Sequence, residues 1–390
     1  MNSHIRLLVN AVPMVNVNTG ISRYLRCLYT EMERLYGDRL EIGYFDGFKV
    51  SNKMPCGPAN LGQWTTGVDL FWKMPVYPAL IARLGFHFLR EAIFRLLSRH
   101  FDVYHEAGFF PFSVSHRLKT VFTIHDLSLL RFPQHHPRER VLYSRLFLRR
   151  RCTGADHFLA VSRFTAREMR TYLGIDPGRT TITPEAHDIT IFYPRSGDEI
   201  RAFLQDHALS EKYFLFVGSG DPRKNMDVIP EALKKAGLDV PLVAAGWSGW
   251  ADGAVSQRVI PLGFVSDEDL ARAYSGAIGM IFPSTYEGFG LPVLEAMACG
   301  CPVVTTRETS LPEVAGDAAL YMKDPRDVKD LARILKDLVE NHAMRDGMAA
   351  AGLERAREFS WKETARDTHQ NAGSTTGKWP LLKNGIPIWQ

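Results

Sequence analysis

The stretch from Phe282 to Val304 constrains the fold of this chain more than any other. An apolar strand pattern over Ala277–Phe282 leads into a loop, and the pattern beyond it predicts a helix over Leu291–Cys299. Pro292 suits the first turn of that helix, because its missing N–H would be unpaired there anyway. Gly300 predicts the end of the helix. A buried strand followed by a loop and a helix indicates a unit of a parallel α/β sheet.

Two glutamates, Glu287 and Glu295, flank the start of this helix. Gly288 and Gly290 lack a Cβ, so backbone N–H groups in the loop could approach a ligand closely. The helix N-terminus adds a partial positive charge, which suits a diphosphate. Glutamate side chains are mostly exposed for no special reason. The alternative is therefore that Glu287 lies in a solvated loop and that Glu295 forms the polar edge of a surface helix. A solvated loop, however, needs neither close backbone approach nor a preset helix start.

This stretch resembles the paired-glutamate motif of glycosyltransferase family 4, the retaining, nucleotide-sugar-dependent enzymes of the GT-B fold. The likeness continues through 310–314 and 316–319. The resemblance implies that Glu287 contacts hydroxyls of the transferred sugar and that Glu295 binds the ribose hydroxyls of the nucleotide. Donor contacts are also expected from the loop and the helix start, namely Gly288, Phe289, Gly290, Leu291 and Pro292.

Size and composition limit the remaining choices. A chain of 390 residues suits two domains, and 45% hydrophobic with 23% charged residues is typical of a soluble globular protein. A net charge of +4 is too mild to argue for a nucleic-acid partner. The five cysteines show no zinc-type spacing and suit a reducing compartment. Neither a signal peptide nor a long apolar span is evident, so we expect a cytoplasmic protein, or one peripheral to the cytoplasmic face of the inner membrane.

Two features of the first half point to a ligand site. The strand pattern of Ile5–Asn10 is followed by a loop ending at Gly20, which alone indicates a tight turn as readily as a ligand loop. The run Thr120–Ile124 ends in His125 and Asp126, at the strand edge where open parallel sheets bind ligands. The alternative is that Asp126 merely caps the next turn. The resemblance implies that Gly20 lies beside the donor diphosphate and that His125 reaches the donor sugar and the reacting centre.

A basic pair marks the second half. Arg223 and Lys224 follow the strand pattern of Tyr213–Val217, where positive charge could hold a phosphate, although a basic turn in solvent is the alternative. The resemblance implies that Lys224 binds the diphosphate. The family often has an arginine where this chain has Ser219, so the division of labour between Arg223 and Lys224 stays open. The resemblance also implies that the nucleobase of the donor lies against Val265.

The predicted fold class is α/β: GT-B, with two Rossmann-like domains facing across a cleft. We expect an N-terminal acceptor domain over 1–194, a linker over 195–212 and a C-terminal donor domain over 213–358. The segment 359–390 is expected to be a helix that returns to the first domain, followed by a tail. The tail from 372 does not follow the family's pattern.

Two basic helices are predicted in the first domain, over 79–100 and 138–151. They could be packed amphipathic helices with solvated arginines. The alternative is docking onto an anionic membrane surface, where each basic residue contributes about 1 kcal/mol.

The resemblance implies a retaining transfer of a hexose from a nucleoside diphosphate sugar to a hydroxyl of a growing, lipid-linked glycan. GDP-mannose is the first choice of donor, because 222–225 and 310–314 look like bacterial mannosyltransferases of surface polysaccharide synthesis. UDP-glucose, UDP-galactose and GDP-fucose-type donors, a UDP-sugar epimerase and a non-catalytic sugar-nucleotide binder are the alternatives. No metal or other cofactor is expected, since no Asp-x-Asp motif lies in a suitable loop. The expected catalytic residues are His125, Glu287, Arg223 and Lys224.

Overall fold

The computed structural model describes residues 5–15, 20–57, 75–115, 117–246 and 259–374. Most of the predicted C-terminal tail, from 375 onward, lies outside these ranges.

The first sheet has seven strands in the order β3-β2-β1-β4-β5-β6-β7, and only β3 runs antiparallel to its neighbour. The order reverses beside β1, since β2 lies on one side of it and β4 on the other. The strands are β1 (Ile5–Asn10), β2 (Leu40–Phe45), β3 (Val50–Ser51), β4 (Val103–Glu106), β5 (Lys119–Ile124), β6 (His157–Ala160) and β7 (Thr180–Ile182).

Helices cover this sheet and supply most of the side chains that pack on it. The sheet and helix side chains form three buried apolar clusters. The helices are α1 (Val12–Val15), α2 (Gly20–Tyr36), α3 (Val76–Leu97), α4 (Ser128–Arg131), α5 (Arg138–Gly154) and α6 (Arg163–Glu168).

The second sheet is fully parallel, with the order β10-β9-β8-β11-β12-β13. Its strands are β8 (Phe214–Val217), β9 (Leu242–Ala245), β10 (Val259–Gly263), β11 (Gly279–Phe282), β12 (Val303–Thr306) and β13 (Leu320–Met322). Its helices are α7 (Gly197–Asp206), α8 (Val228–Ala236), α9 (Asp267–Gly276), α10 (Leu291–Ala298), α11 (Leu311–Ala315), α12 (Val328–Glu340) and α13 (His342–Ala356). The two parallel-sheet domains confirm the predicted fold class.

The segment 195–212, predicted as a linker, is partly helical. Helix α7 begins after Ser196, whose hydroxyl accepts from the backbone N–H of Glu199 while the Glu199 carboxylate accepts from the backbone N–H of Ser196. A capping box therefore satisfies two of the backbone donors at the helix start. The Ser-x-x-Glu spacing that predicts such a cap is present in the sequence, but the polar composition of 195–212 indicated a linker instead.

The last described helix, α14 (Trp361–Ser374), packs on the first domain. Trp361 and Ala365 are buried in the core that lines α2. The Thr364 hydroxyl donates to the carbonyl of Pro184 at 2.6 Å, and the rings of Tyr36 and His369 stack with centroids 3.5 Å apart. The chain therefore crosses from the second domain back to the first.

Helix α3 turns its polar stripe inward, which is the opposite of a solvated basic helix. His87 and Glu91 are buried, and Arg151 of α5 donates to the Glu91 carboxylate at 2.7 Å. Leu84, Ile93 and Phe94 also pack inward, while a second apolar stripe of the helix faces outward. Exposed large side chains along it include Tyr77, Ile81, Phe86, Phe88, Leu89 and Leu96, which are 50–75% exposed.

Candidate functional site

The site lies where the strand order of the second sheet reverses. The order places β8 directly beside β11, although β9 and β10 come between them in sequence. Lys224 follows β8, and Glu287 follows β11. Because ligands bind in the crevice outside the carboxyl ends of strands at such a reversal, the topology brings both residues to the expected place.

Lys224 and Glu287 form an ion pair in this crevice. The Lys224 Nζ donates to Glu287 Oε1 at 2.6 Å, and the Ser284 hydroxyl donates to the same oxygen at 2.6 Å. The ammonium also lies 5.2 Å from the centroid of the Phe282 ring. Both charged side chains are largely buried. The carboxylate is therefore fixed in orientation before any ligand arrives.

Arg223 is held differently from its neighbour Lys224. Its Nε lies 3.1 Å from both carboxylate oxygens of Asp221, and its Nη1 lies 4.0 Å from Asp126 Oδ2 in the first domain. Burial works to lower the pKa of Arg223, but Asp221 and Asp126 outweigh it, so the pKa is raised and the charge is secure. Asp221 was not singled out from the sequence. The Asp221 carboxylate neutralises the charge of Arg223, whereas the Lys224 ammonium forms an ion pair with Glu287.

His125 is oriented by a carboxylate that sequence reasoning missed. Its Nδ1 lies 2.9 Å from Glu185 Oε1, and the Tyr24 ring meets the imidazole edge-on at 4.8 Å between centroids. Because an ionised carboxylate only accepts, Nδ1–H is the donor in this bond, and the other ring nitrogen, Nε2, takes no part in it. Nε2 is buried, and within the described ranges it has no hydrogen-bond partner. Glu185 lies just beyond β7, so its place at the carboxyl edge of the sheet was the signal that could have found it.

The glutamate loop presses directly against the histidine. A Cβ added to Gly288 would lie 1.7 Å from the carbonyl oxygen of His125 and 3.1 Å from the Cβ of Asp126. The carbonyl of Gly288 accepts from the Ser162 hydroxyl at 2.6 Å and from the Thr165 hydroxyl at 3.0 Å. Only glycine fits here, so the two domains meet at the residue next to Glu287.

Neighbours of this loop extend the contact between the domains. The hydroxyl of Tyr286 donates to Glu168, which also pairs with Arg131, and it accepts from the backbone N–H of Leu127 at 3.0 Å.

Glu313 makes a second contact between the domains. Its carboxylate accepts from the backbone N–H groups of Arg163 and Phe164, both at 2.7 Å. These groups belong to the first turn of α6, where the orphan donors and the helix dipole favour a negative charge. Glu313 belongs to the 310–314 stretch that extends the family likeness, but the resemblance implied no role for it.

Glu295 is the least accessible of the predicted site residues, with 1% of its side chain exposed. Its carboxylate pairs with Arg23 of α2, which also pairs with Asp267 at the start of α9, and it accepts from the Tyr274 hydroxyl at 3.3 Å. Burial raises the pKa of Glu295 to about 7, and Asp267 adds to the rise while Arg23 opposes it. Arg23 lies 272 residues from Glu295, and no local pattern pointed to it.

The other residues predicted to contact the donor lie near the ends of strands and the starts of helices. Gly20 begins α2 and is exposed, while Ser219 and Val265 are half-buried beyond β8 and β10. Gly290 has a φ of +111° and precedes α10, with Pro292 in the first turn as predicted. Phe289 and Leu291 are buried in the core of the second domain. Their roles toward a donor stay predictions.

The described residues contain neither a cluster of metal ligands nor a membrane-spanning helix. No three histidine, cysteine or acidic side chains in these ranges come together as metal ligands. None of the helices in the same ranges has the length and apolarity needed to cross a bilayer.

Two family models match consecutive parts of the chain. The model "Glycosyltransferase Family 4" covers residues 55–191, and the model "Glycosyl transferases group 1" covers residues 199–355. The boundary between them lies beside the start of α7.

A curated relative supports the same family, and solved structures support the fold. The chain is 35% identical over 281 residues to O-antigen chain mannosyltransferase B of Escherichia coli, covering 68% of this chain and 72% of that protein. Sucrose-phosphate synthase from Thermosynechococcus elongatus superposes with a TM-score of 0.71 at 19% identity, covering 94% of this chain and 98% of the other. HepE of Anabaena in complex with UDP-glucose superposes with a TM-score of 0.65 at 16% identity, covering 95% and 100%. The chain therefore belongs to glycosyltransferase family 4 and is a glycosyltransferase of the GT-B fold.

Proposed function

We propose that this enzyme transfers mannose from GDP-mannose to a hydroxyl of a growing, lipid-linked glycan and keeps the anomeric configuration. The observation that carries the choice of sugar is the 35% identity with the O-antigen chain mannosyltransferase. The cleft supports a nucleoside diphosphate sugar, because a lysine, a helix N-terminus and a fixed carboxylate converge there.

The chemistry proposed for the cleft follows from charge. As the glycosidic bond stretches, the leaving diphosphate gains negative charge, and preorganised donors that meet it are worth about 3–4 kcal/mol each. We assign this role to Lys224 and to the N-terminus of α10. Arg223 already forms a bidentate pair with Asp221, so we give it the smaller role of holding Asp221 and Asp126 in place.

In this scheme Glu287 and His125 act on the sugar. Glu287 orients the hexose through its hydroxyls, and His125 offers the unpartnered Nε2 to a hydroxyl beside the reacting carbon. Retention would follow from attack by the acceptor hydroxyl on the face that the diphosphate leaves, with a departing phosphate oxygen taking the hydroxyl proton.

A thermal-shift screen across nucleoside diphosphates and their sugars tests the donor. A ligand at about 100 times its Kd raises the free energy of unfolding by about 2.7 kcal/mol, which a melting curve resolves. We expect GDP-mannose to give the largest shift. A larger shift with UDP-glucose, the ligand of the HepE complex, would favour the alternative donor. Incubation with donor alone must leave the sugar unaltered, since an altered free sugar would indicate an epimerase.

We expect transfer to proceed without a divalent cation, because Lys224 and the α10 N-terminus supply the positive charge that a metal would otherwise bring. Adding EDTA to the purified enzyme should leave kcat unchanged. A loss of activity that Mg²⁺ or Mn²⁺ restores would contradict this expectation.

We further propose that the first domain docks on an anionic bilayer, where a lipid-linked acceptor would be found. The outward apolar stripe of α3 is unusual for a solvated helix, and exposed apolar patches of this kind mark interaction sites. Helix α5 packs beside α3 through the pair of Arg151 with Glu91. Its exposed face carries Arg145, Leu146, Arg149 and Arg150, which suit lipid headgroups.

Replacing Arg149 and Arg150 with alanine should weaken binding to vesicles rich in phosphatidylglycerol about thirtyfold, since each basic residue contributes about 1 kcal/mol at the surface. Arg151 is left intact because it is paired with Glu91. The matched control changes Arg326 and Lys329, which are exposed on the second domain, and should bind as the wild type does. Binding indifferent to the first pair and to added salt would exclude this docking surface.

A further inference from the structure

One arginine of the first domain reaches into the nucleotide side of the second. Arg23 lies in the first turns of α2, yet its guanidinium pairs with both Asp267 and Glu295. It also lies over the ring of Phe192, 5.3 Å from the centroid. Only 19% of the Arg23 side chain is exposed, so this is a formed contact between the domains and not a surface pair.

The two carboxylates that Arg23 joins border the place proposed for the nucleoside. Asp267 opens α9, immediately after the Val265 segment proposed to meet the base. Glu295 lies one turn into α10, and it is the residue proposed to meet the ribose. A nucleoside that touches both segments must pass between these two acids, and the guanidinium of Arg23 occupies that position.

Access to Glu295 requires one neighbour to move. Its side chain is 1% exposed, with one oxygen on Arg23 and the other near the Tyr274 hydroxyl. Tyr274 is fully buried in the core of the second domain and cannot leave without opening a cavity. Arg23 is long, partly exposed and attached to the other domain, so it is the neighbour that can move.

We propose that Arg23 is a latch that occupies the ribose position of the nucleotide-free enzyme and leaves Glu295 when a nucleotide binds. The ribose hydroxyls then donate to the carboxylate that the guanidinium has released. The proposal rests on the donor site proposed above. It adds that each binding event must break an ion pair between the domains, so the latch lowers the apparent affinity for nucleotide.

Calorimetric titration of the full chain with GDP, and with UDP in parallel, tests the latch. Arg23→Gln should bind the nucleotide about tenfold more tightly than the wild type, because a charge-assisted pair no longer competes with the ribose. Asp267→Asn removes one anchor of the latch and should tighten binding by a smaller factor. A residue that only supports the fold would weaken binding when lost, so the sign of the change separates the two roles.

Arg34→Gln is the matched control. Arg34 lies on the same helix and pairs with Glu31 at the surface, so its replacement should leave the nucleotide Kd unchanged. Unchanged or weaker binding by Arg23→Gln would overturn the latch, and if that variant is unfolded by circular dichroism, Asp267→Asn decides alone by the same criterion. If neither nucleotide binds the wild type or any variant, the proposed function itself fails, which is a different outcome from binding without tightening.

Discussion

Replacing Glu287 with glutamine is expected to lower kcat by about a hundred- to a thousandfold, the usual cost of losing one preorganised group at a reacting centre. The carboxylate accepts from Lys224 and from Ser284, both at 2.6 Å. Glutamine keeps the shape but removes the negative charge, so the Lys224 ammonium loses its partner and the sugar loses a strong acceptor for its hydroxyls. The measurement is the initial rate of acceptor-dependent transfer.

The control for this variant is Glu308→Gln. Glu308 lies in the loop after β12 and is exposed, so the same change of charge there should leave the rate within about twofold, as surface substitutions usually do. Nucleotide binding measured on both variants separates the roles of Glu287. If Glu287→Gln transfers sugar at the wild-type rate, Glu287 does not act on the transferred sugar.

Replacing Gly288 with alanine is expected to reduce kcat/KM by at least about a hundredfold, since small displacements of a reacting group cost that much. The new Cβ would lie 1.7 Å from the carbonyl oxygen of His125, closer than any real contact, and a backbone oxygen cannot turn away as a flexible side chain could. The loop must therefore retreat from the first domain and carry Glu287 away from His125. Solution scattering should show a more open particle.

Gly347→Ala provides a matched control for this change. Gly347 lies in α13, and a Cβ there would meet nothing within 4 Å. Because alanine is the better helix former by about 1 kcal/mol, this variant should be active and slightly more stable. Circular dichroism of Gly288→Ala must show the native helix content for its result to count. Full activity of a folded Gly288→Ala would mean that the domains do not touch at this loop during turnover.

The sequence predicted the parts of the structure that depend on short segments. The helix over 291–299 was expected from Pro292 and Gly300, and the structure places α10 at Leu291–Ala298. The strand patterns also predicted that His125 and Lys224 lie at the carboxyl ends of strands. Strand patterns and their ends are local features of a sequence.

The contacts between the domains could not be predicted in the same way. Arg23 lies 272 residues from Glu295, and Tyr286 lies 118 from Glu168. A local pattern carries no information about which distant side chain completes a pair. The family motif gave Glu295 a role but no partner, so its pairing with Arg23 across the domains became visible only in the fold.

Helix α3 shows a second limit of pattern reading. Periodicity separated its polar stripe from its apolar stripe, but it does not tell which stripe faces the protein. The buried pair of Glu91 with Arg151 decides this, because a charged pair is retained inside only with its partner present. Apolar side chains lie on both sides of α3, since Phe94 is buried while Ile81 and Leu96 are exposed.

A crystal structure of the full chain with GDP tests most directly whether the cleft between the two sheets is the donor site. The diphosphate is predicted to lie within hydrogen-bonding distance of Lys224 and the first turn of α10, with the ribose on Glu295. GDP bound elsewhere, or a cleft left empty at saturating GDP, would contradict the assignment.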